Sequence, residues 1–355
     1  MNLLNLVPKE AERYLTEWLA ARNEPRFRLR QILPRLWQRP VVNWGEATEL
    51  PLELRESLDQ EAPLPRLECT QRQVSNDGTV KMLWKLSDGL AVESVWIPEG
   101  SRTTLCISSQ AGCAYGCVFC ATGRMGFQRH LACWEIASQV REMMLDPQFG
   151  KPSNVVFMGM GEPLHNWDAV DPTLTILNDP NGFCIGARHI TVSTVGLIPE
   201  LKQLAARPEQ FRLAVSLHSA ISERRAALVP VERRYPLPDL QAVLSGFARR
   251  VTLEYVMIQE VNDRKEDAAA LVDLASRLYA LVNLLPLHPG GHDLEPSPPR
   301  DIARFAQELR RAGINVSVRK SRGLDISAAC GQLEAQTDHE QRSVGSDQSF
   351  KQTSP

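Results

Sequence analysis

The sequence predicts an α/β fold centred on a β/α barrel, and three observations predict it. From Thr103 onward short apolar runs alternate with amphipathic stretches every 25 to 35 residues, the pattern of parallel strands crossed by outer helices. Between Pro65 and Pro98 the period drops to two, with turn signals at Asn76-Asp77-Gly78 and Asp88-Gly89, as in a short antiparallel meander. Before that, apolar residues recur at helical spacing. The expected organisation is a helical N-terminal domain over 1–65, a small β meander over 66–98, a partial or full β/α barrel over 99–333 and a disordered tail over 334–355. A doubly wound open sheet is the alternative to the barrel.

The N-terminal helices are expected over 10–22, where Ala11, Tyr14, Leu15, Trp18 and Leu19 share a face, and over 27–37, where Leu29, Ile32, Leu33 and Leu36 do. The meander strands are 69–73, 79–86 and 90–97. Barrel strands are expected over 103–108, 154–158, 189–193, 212–217, 252–257, 281–285 and 315–319. Amphipathic stretches at 134–145, 167–177, 239–248, 267–279 and 300–312 supply helices between them. After Leu333 the chain is polar and rich in Ser, Gln and Asp, without an apolar period.

Composition narrows the function. With 355 residues, 43% apolar and 23% charged, the chain can bury a large core. Forty Lys and Arg against forty-two Asp and Glu give a net charge of −2, so any nucleic-acid site must be a local patch. No apolar run approaches the roughly 18–20 residues that cross a bilayer, and no signal segment opens the chain; a cytoplasmic protein without a membrane partner is expected. The eight cysteines then point to metal binding or catalysis rather than disulfide staples.

Three of them form Cys113-Ala-Tyr-Gly-Cys117-Val-Phe-Cys120, just after the first predicted barrel strand. Three thiolates within eight residues can converge on one inorganic centre, with Gly112 and Gly116 freeing the backbone to wrap it. A structural zinc site would want a second ligand pair, which neither Cys106 nor Cys133 completes. Three ligands on a four-iron cluster leave one iron open. Further along, Gly159-Met-Gly-Glu-Pro163 closes the second strand; it lacks a third glycine and is not a dinucleotide fingerprint. It is either a tight turn or a place where a ligand meets the backbone. Ser193 and Ser216-Leu217-His218 end the third and fourth strands and point to the same mouth.

The C-x3-C-x2-C run, with an aromatic before the last cysteine, resembles the signature of radical S-adenosylmethionine (SAM) enzymes. Glu93-Ser-Val-Trp-Ile-Pro, Leu105-Cys-Ile-Ser-Ser-Gln-Ala-Gly-Cys113, Gly159-Met-Gly-Glu-Pro163, Ser216-Leu-His218, Glu254-Tyr-Val-Met257 and Arg322-Gly-Leu-Asp-Ile-Ser-Ala-Ala-Cys-Gly-Gln-Leu333 together resemble the RlmN/Cfr family of radical SAM RNA (adenine) methyltransferases, over residues 10–333. The resemblance implies the partial, TIM-like β/α barrel of radical SAM type and two cofactors. A 4Fe-4S cluster would sit on Cys113, Cys117 and Cys120, with SAM held by Gly161, Glu162, Ser193, Ser216, Leu217 and His218. It implies methylation of adenosine at C2 in 23S rRNA, and of tRNA next to the anticodon, with an electron donor such as flavodoxin or ferredoxin. Cys330 would carry the methyl group after one SAM methylates it; a second SAM would activate that group, and Cys106 would resolve the adduct through a transient disulfide. Glu93 matches the proton acceptor.

Read without the resemblance, Cys106 suits a core position, Glu93 a solvated carboxylate and His218 a core imidazole. Cys69, Cys133 and Cys184 are expected to be packing residues. Arg319, Lys320 and Arg322 are expected to lower the pKa of Cys330. Candidate RNA contacts are Arg26, Arg28, Arg30, Arg224, Arg225, Arg233, Arg234 and Arg319 to Arg322. The family usually has Asn where His288 stands, and an imidazole cannot present an amide's donor and acceptor; this and the stretch 290–299 suggest a divergent branch. Methylation at C8 or of another RNA, and a non-catalytic iron–sulfur RNA-binding protein, are the alternatives.

Overall fold

The structure, a computed structural model, describes residues 1–288 and 293–335; the expected disordered tail, beyond its first two residues, and part of the stretch 290–299 lie outside the described residues. Twelve strands occur among them: β1 (Glu68–Val74), β2 (Val80–Lys85), β3 (Ala91–Glu99), β4 (Arg102–Cys106), β5 (Gln110–Gly112), β6 (Phe127–His130), β7 (Asn154–Phe157), β8 (Ile190–Thr194), β9 (Arg212–Ser216), β10 (Thr252–Met257), β11 (Leu281–Pro286) and β12 (Asn315–Val318). Ten form one sheet in the order β1-β2-β3-β4-β7-β8-β9-β10-β11-β12, while β5 and β6 pair separately. From β4 to β12 all pairings are parallel and follow chain order. A doubly wound sheet would reverse that order at a switch point, so the β/α barrel expectation holds. Among the described residues β12 does not pair with β1 or β4, and the barrel is partial.

The sequence pattern accounts for the layers. In β10, Leu253 to Met257 are all buried, as expected of a strand covered on both faces. The helix Pro299–Arg311 buries Ile302, Phe305, Ala306 and Leu309, a single stripe at helical spacing. Cys133–Leu145 is buried nearly all round because the N-terminal segment lies over its outer side. There Arg141, 1% exposed, donates to the carbonyls of Leu36 and Val41, and Arg66 Nε pairs with Glu142 at 2.8 Å.

Three differences from the expected elements have physical reasons. The stretch 27–37 is broken into Arg26–Arg28, Leu29–Ile32 and Leu33–Arg35, since Pro34 cannot donate a backbone hydrogen bond. Four α-helices not expected from the sequence appear at Leu52–Glu61, Ala121–Arg124, Ile198–Ala206 and Ser222–Leu228; each buries only two residues, too narrow a stripe to read as a period. The meander strands pair on into the barrel, with Val95 of β3 opposite Cys106 of β4. Because Lys81 is opposite Val95 and side chains alternate along a strand, Lys81, Glu93 and Cys106 share one face of the sheet. Among the described residues no helix is long and apolar enough to cross a membrane.

Candidate active site

The β5–β6 ribbon frames the cysteine loop. Cys113 donates its N–H to Gly126 at 3.0 Å, and a Cβ on Gly112, at φ +71°, would lie 1.8 Å from the same carbonyl oxygen, so only glycine fits there. Val118 N–H bonds Leu228 O at 3.1 Å and anchors the loop's far side. The three sulfur side chains line one cavity at the C-terminal ends of the parallel strands, together with Gly161, Glu162, Ser193, Ser216, His218 and Cys330. Burial pushes the Cys113 thiol up to about 12 and Cys117 well above its ordinary value. Ionised thiols there need a cationic partner. Among the described residues no three His, Cys, Asp or Glu side chains converge on a single metal ion. Three thiols spread around one cavity, one buried and two half-buried, fit a group larger than one ion, as a four-iron cluster is.

Opposite the thiols, Gly161 adopts φ +95° and Glu162 is 3% exposed. Glu162 Oε2 accepts from Val195 N–H at 2.8 Å and Oε1 from Leu164 N–H at 3.0 Å. Burial raises its carboxyl to about 7 despite those bonds. His218 also has positive φ, 58°. Its Nδ1 accepts from Val256 N–H at 3.1 Å, which assigns the ring proton to Nε2, and its ring meets Phe119 edge-on at 4.5 Å. Burial and then Arg225 hold it down at about 3, so the imidazole is neutral. It is thus a satisfied buried histidine and a cavity wall at once. Leu217 is buried and does not line the cavity.

Cys330 follows β12 on a segment that turns at Leu324–Ile326. Its surface is exposed into the cavity, and the protein enclosing that space raises its thiol while Arg319 pulls it down. The expectation of a lowered pKa is therefore corrected: desolvation outweighs one cation. Lys320 is exposed, and Arg322 lies 3.9 Å from Asp77. Cys106 is buried behind this wall, raised to about 12 by burial and then by Cys330. Glu93 is 4% exposed rather than solvated. Its Oε1 is 2.9 Å from Lys81 Nζ, its Oε2 accepts from Glu334 N–H at 2.9 Å, and burial raises its pKa.

Other expectations divide. Arg225 is fully buried against Glu232 and Val195 O, and Arg224 pairs with Asp267, so neither is a free RNA contact. Arg28 is engaged by Glu24 and Gln31; Arg26, Arg30, Arg233 and Arg234 are exposed. Cys133 is packed as expected, whereas Cys69 and Cys184 are exposed, because a meander edge and a turn hold them. His288 bonds Ser321 Oγ at 2.6 Å and does not line the cavity. Two residues received no role in the sequence reading. Gln110 receives the Glu162 N–H at 2.8 Å, and Glu254, with Oε1 held by Asn283 at 3.2 Å, lines the cavity. Both sit inside the quoted motifs, which was the only signal available.

The radical SAM superfamily model matches residues 107–272. The chain is 56% identical to a probable dual-specificity RNA methyltransferase RlmN of Gemmatimonas aurantiaca over 94% of its own length and 92% of that protein's. The chain belongs to the RlmN family of radical SAM RNA methyltransferases. A dual-specificity RNA methyltransferase RlmN of Syntrophobacter fumaroxidans is 42% identical over 91% of this chain and 96% of its own. The crystal structure of a radical SAM methyltransferase from Sphaerobacter thermophilus superposes with a TM-score of 0.87 at 42% identity, covering 95% of this chain and all of that one. Membership in the RlmN family brings the superfamily's cofactors, a 4Fe-4S cluster and SAM, and the thiols and polar rim of the cavity fit them.

Proposed function

We propose that the protein methylates C2 of adenosine in 23S rRNA and in tRNA, with Cys330 as methyl carrier. The observation that carries the reading is the position of Cys330, which lines the same cavity as Cys113, Cys117 and Cys120 and acts electrostatically on the buried Cys106. An RNA-binding protein without catalysis has no use for two further cysteines there. The cysteine triad would hold the cluster, and Gly161, Glu162, Ser193, Ser216 and His218 would hold SAM. When bound, these groups supply the one-electron cleavage of SAM that activates an otherwise inert methyl group. Cys330 takes the first methyl group as a thiolate, which Arg319 favours. When the adduct resolves, Cys106 gives up its proton and its sulfur bonds that of Cys330 as the Cys330 S–CH2 bond breaks; the released carbon keeps that bond's electron pair and takes a proton to become the new methyl group. Glu93, on the same sheet face as Cys106, accepts a proton, and Lys81 steadies its charge. The target adenosine must be unpaired or flipped out to bring its ring edge to Cys330. A flavodoxin or ferredoxin is the reductant in this reading, and the cytoplasm, where the RNAs reside, is the compartment.

Mass spectrometry of nucleosides from rRNA and tRNA tests the reading in a deletion strain and its complemented partner. Loss and return of 2-methyladenosine is expected. Unchanged 2-methyladenosine sinks the proposal, and 8-methyladenosine in its place reassigns the carbon.

A further inference from the structure

Four rings cluster on the rim beside the cavity, outside the residues assigned so far. Phe127 and His130 lie 4.9 Å apart between centroids, Phe127 and His165 5.5 Å, His130 and His165 4.9 Å, and Tyr115 and His165 5.4 Å. The two histidines meet edge to face at 77°. Phe127 is 41% exposed, His130 is exposed, and Tyr115 and His165 are half-buried. The group is therefore a surface rather than a piece of core.

One buried amide holds it rigid. Gln110 Nε2 is 3.0 Å from His130 Nδ1 and 3.1 Å from His165 Nδ1, while its Oε1 accepts the Glu162 N–H. The amide nitrogen has two hydrogens to give, so both Nδ1 atoms accept, both rings carry their proton at Nε2, and both are neutral. Burial and then His165 lower the pKa of His130, and burial likewise lowers that of His165, in the same direction as the geometry. The same amide ties the rings to the site: Glu162 is a cavity wall, His165 follows it by three residues, and Tyr115 lies between Cys113 and Cys117. Arg234 is exposed, makes no ion pair among the described residues, and its charge reaches both Tyr115 and His165. Its guanidinium stands 5.3 Å from the Tyr235 ring. Exposed rings with an adjacent unpaired cation form the combination that takes single-stranded nucleic acid, bases on the rings and phosphate on the cation.

We propose that Tyr115, Phe127, His130 and His165 form a stacking platform for an unpaired base of the substrate RNA beside the target adenosine, with Arg234 contacting its phosphate. The inference rests on the RNA methyltransferase reading above and adds to it the residues that position the strand. A platform locked by Gln110 loses little side-chain entropy on binding, and it would hold a neighbouring base while the target base enters the cavity. Stacking tolerates any base, which suits an enzyme that accepts two RNAs.

The test uses the cluster-loaded enzyme and a substrate RNA stem-loop with 2-aminopurine placed in turn at each nucleotide flanking the target adenosine. Wild-type enzyme should methylate the RNA and quench the fluorescence at one flanking position. Phe127→Ala should abolish that quenching and weaken RNA binding at least about fivefold, while its cluster absorbance and unfolding temperature match wild type. Phe127→Trp should restore both. Arg234→Gln should flatten the dependence of log K on log salt by about 0.7. If wild type methylates the RNA but no flanking position is quenched, or if Phe127→Ala binds and quenches like wild type, the platform is overturned while the methyltransferase reading stands. If wild type does not methylate the RNA, the reading beneath it falls and takes the platform with it.

Discussion

The backbone N–H of Glu334, four residues beyond Cys330, donates to Oε2 of Glu93 at 2.9 Å. That bond ends a strap that is fastened on both sides of Cys330. Upstream, Gly323 N–H bonds Asp77 Oδ2 at 3.0 Å and Asn76 N–H bonds Asp325 Oδ2 at 3.1 Å. Downstream, Ala121 N–H bonds Gly331 O at 2.8 Å and Thr122 Oγ1 bonds Leu333 O at 2.6 Å. Cys330 is thus held between the meander turn and the cysteine loop, with its sulfur presented to the cavity without a helix or strand of its own.

Removing the upstream fastening tests whether that presentation matters. Asp77, held at about 2 mainly by hydrogen bonds from Thr79, Gly323 and Ser75 against an opposing effect of burial, keeps its charge at working pH. Asp77→Ala should leave the cluster's absorbance unchanged, speed limited proteolysis between 319 and 330, and lower methylation about 10- to 100-fold, the scale at which a misplaced reactive group is felt. Wild-type proteolysis and turnover in the variant would show the strap to be passive.

Glu93 and Lys81 form an ion pair whose side chains are 5% and 12% exposed. Glu93→Gln leaves the ammonium without its counter-charge, which costs about 3 kcal/mol for a buried pair. Methylation should fall by about 10²- to 10⁴-fold if Glu93 also accepts a proton. Urea unfolding and single-turnover methylation of the same sample separate the two effects. A destabilised variant with undiminished methylation per folded molecule would remove Glu93 from the chemistry.

The two further cysteines should differ in how they respond to pH. Both thiols are raised by burial and eased by Arg319, which is the second-largest influence on Cys330, while Cys106 still stands at about 12 and is walled off from solvent. Below its pKa a thiol's reactive fraction grows tenfold per pH unit. Alkylation of Cys330 by iodoacetamide, followed by peptide mass spectrometry, should therefore rise with pH from 7 to 9, and Cys106 should stay unlabelled. Removing the cation raises the thiol pKa further, so Arg319→Gln should slow Cys330 labelling at every pH in that range. Faster labelling in this variant would contradict the sign of the interaction.

The barrel strands were legible in the sequence as short apolar runs between amphipathic stretches, clearest where the run is buried on both faces, as Leu253 to Met257 is. The helices Ile198–Ala206 and Ser222–Leu228 were not, since each buries only two residues. Within the site, Cys113, Cys117 and Cys120 were readable because cluster ligation demands a fixed local spacing. Lys81 was not: its meeting with Glu93 depends on the register of β2 against β3, which places Lys81 opposite Val95. The thiol of Cys330 was misjudged for a related reason. Neighbouring cations are visible in a sequence, while the protein that desolvates the sulfur arrives from β4, β10 and the cysteine loop. Gln110 was quoted in a motif without a role because nothing local shows that its amide reaches Glu162, His130 and His165.

The same glutamine constrains Gly161 on the cavity wall. Gly161 holds φ +95°, and a Cβ there would lie 2.5 Å from Gln110 Cβ, 2.7 Å from Cγ and 2.8 Å from Oε1. Gln110 cannot turn aside without losing its bonds to Glu162 and both histidines. Gly161→Ala must therefore shift its own backbone and carry Glu162 with it. The strain should lower stability in urea by about 1–3 kcal/mol, and calorimetry of the cluster-loaded protein should find SAM binding weakened by about tenfold or more. Trimming the obstacle separates steric conflict from the cost of positive φ. In a Gln110→Gly background, which removes Cβ, Cγ and Oε1 together, the clash is gone, so adding Gly161→Ala should cost less than it does in the wild type. Full additivity of the two substitutions would mean that backbone conformation alone, and not contact with Gln110, requires glycine at 161.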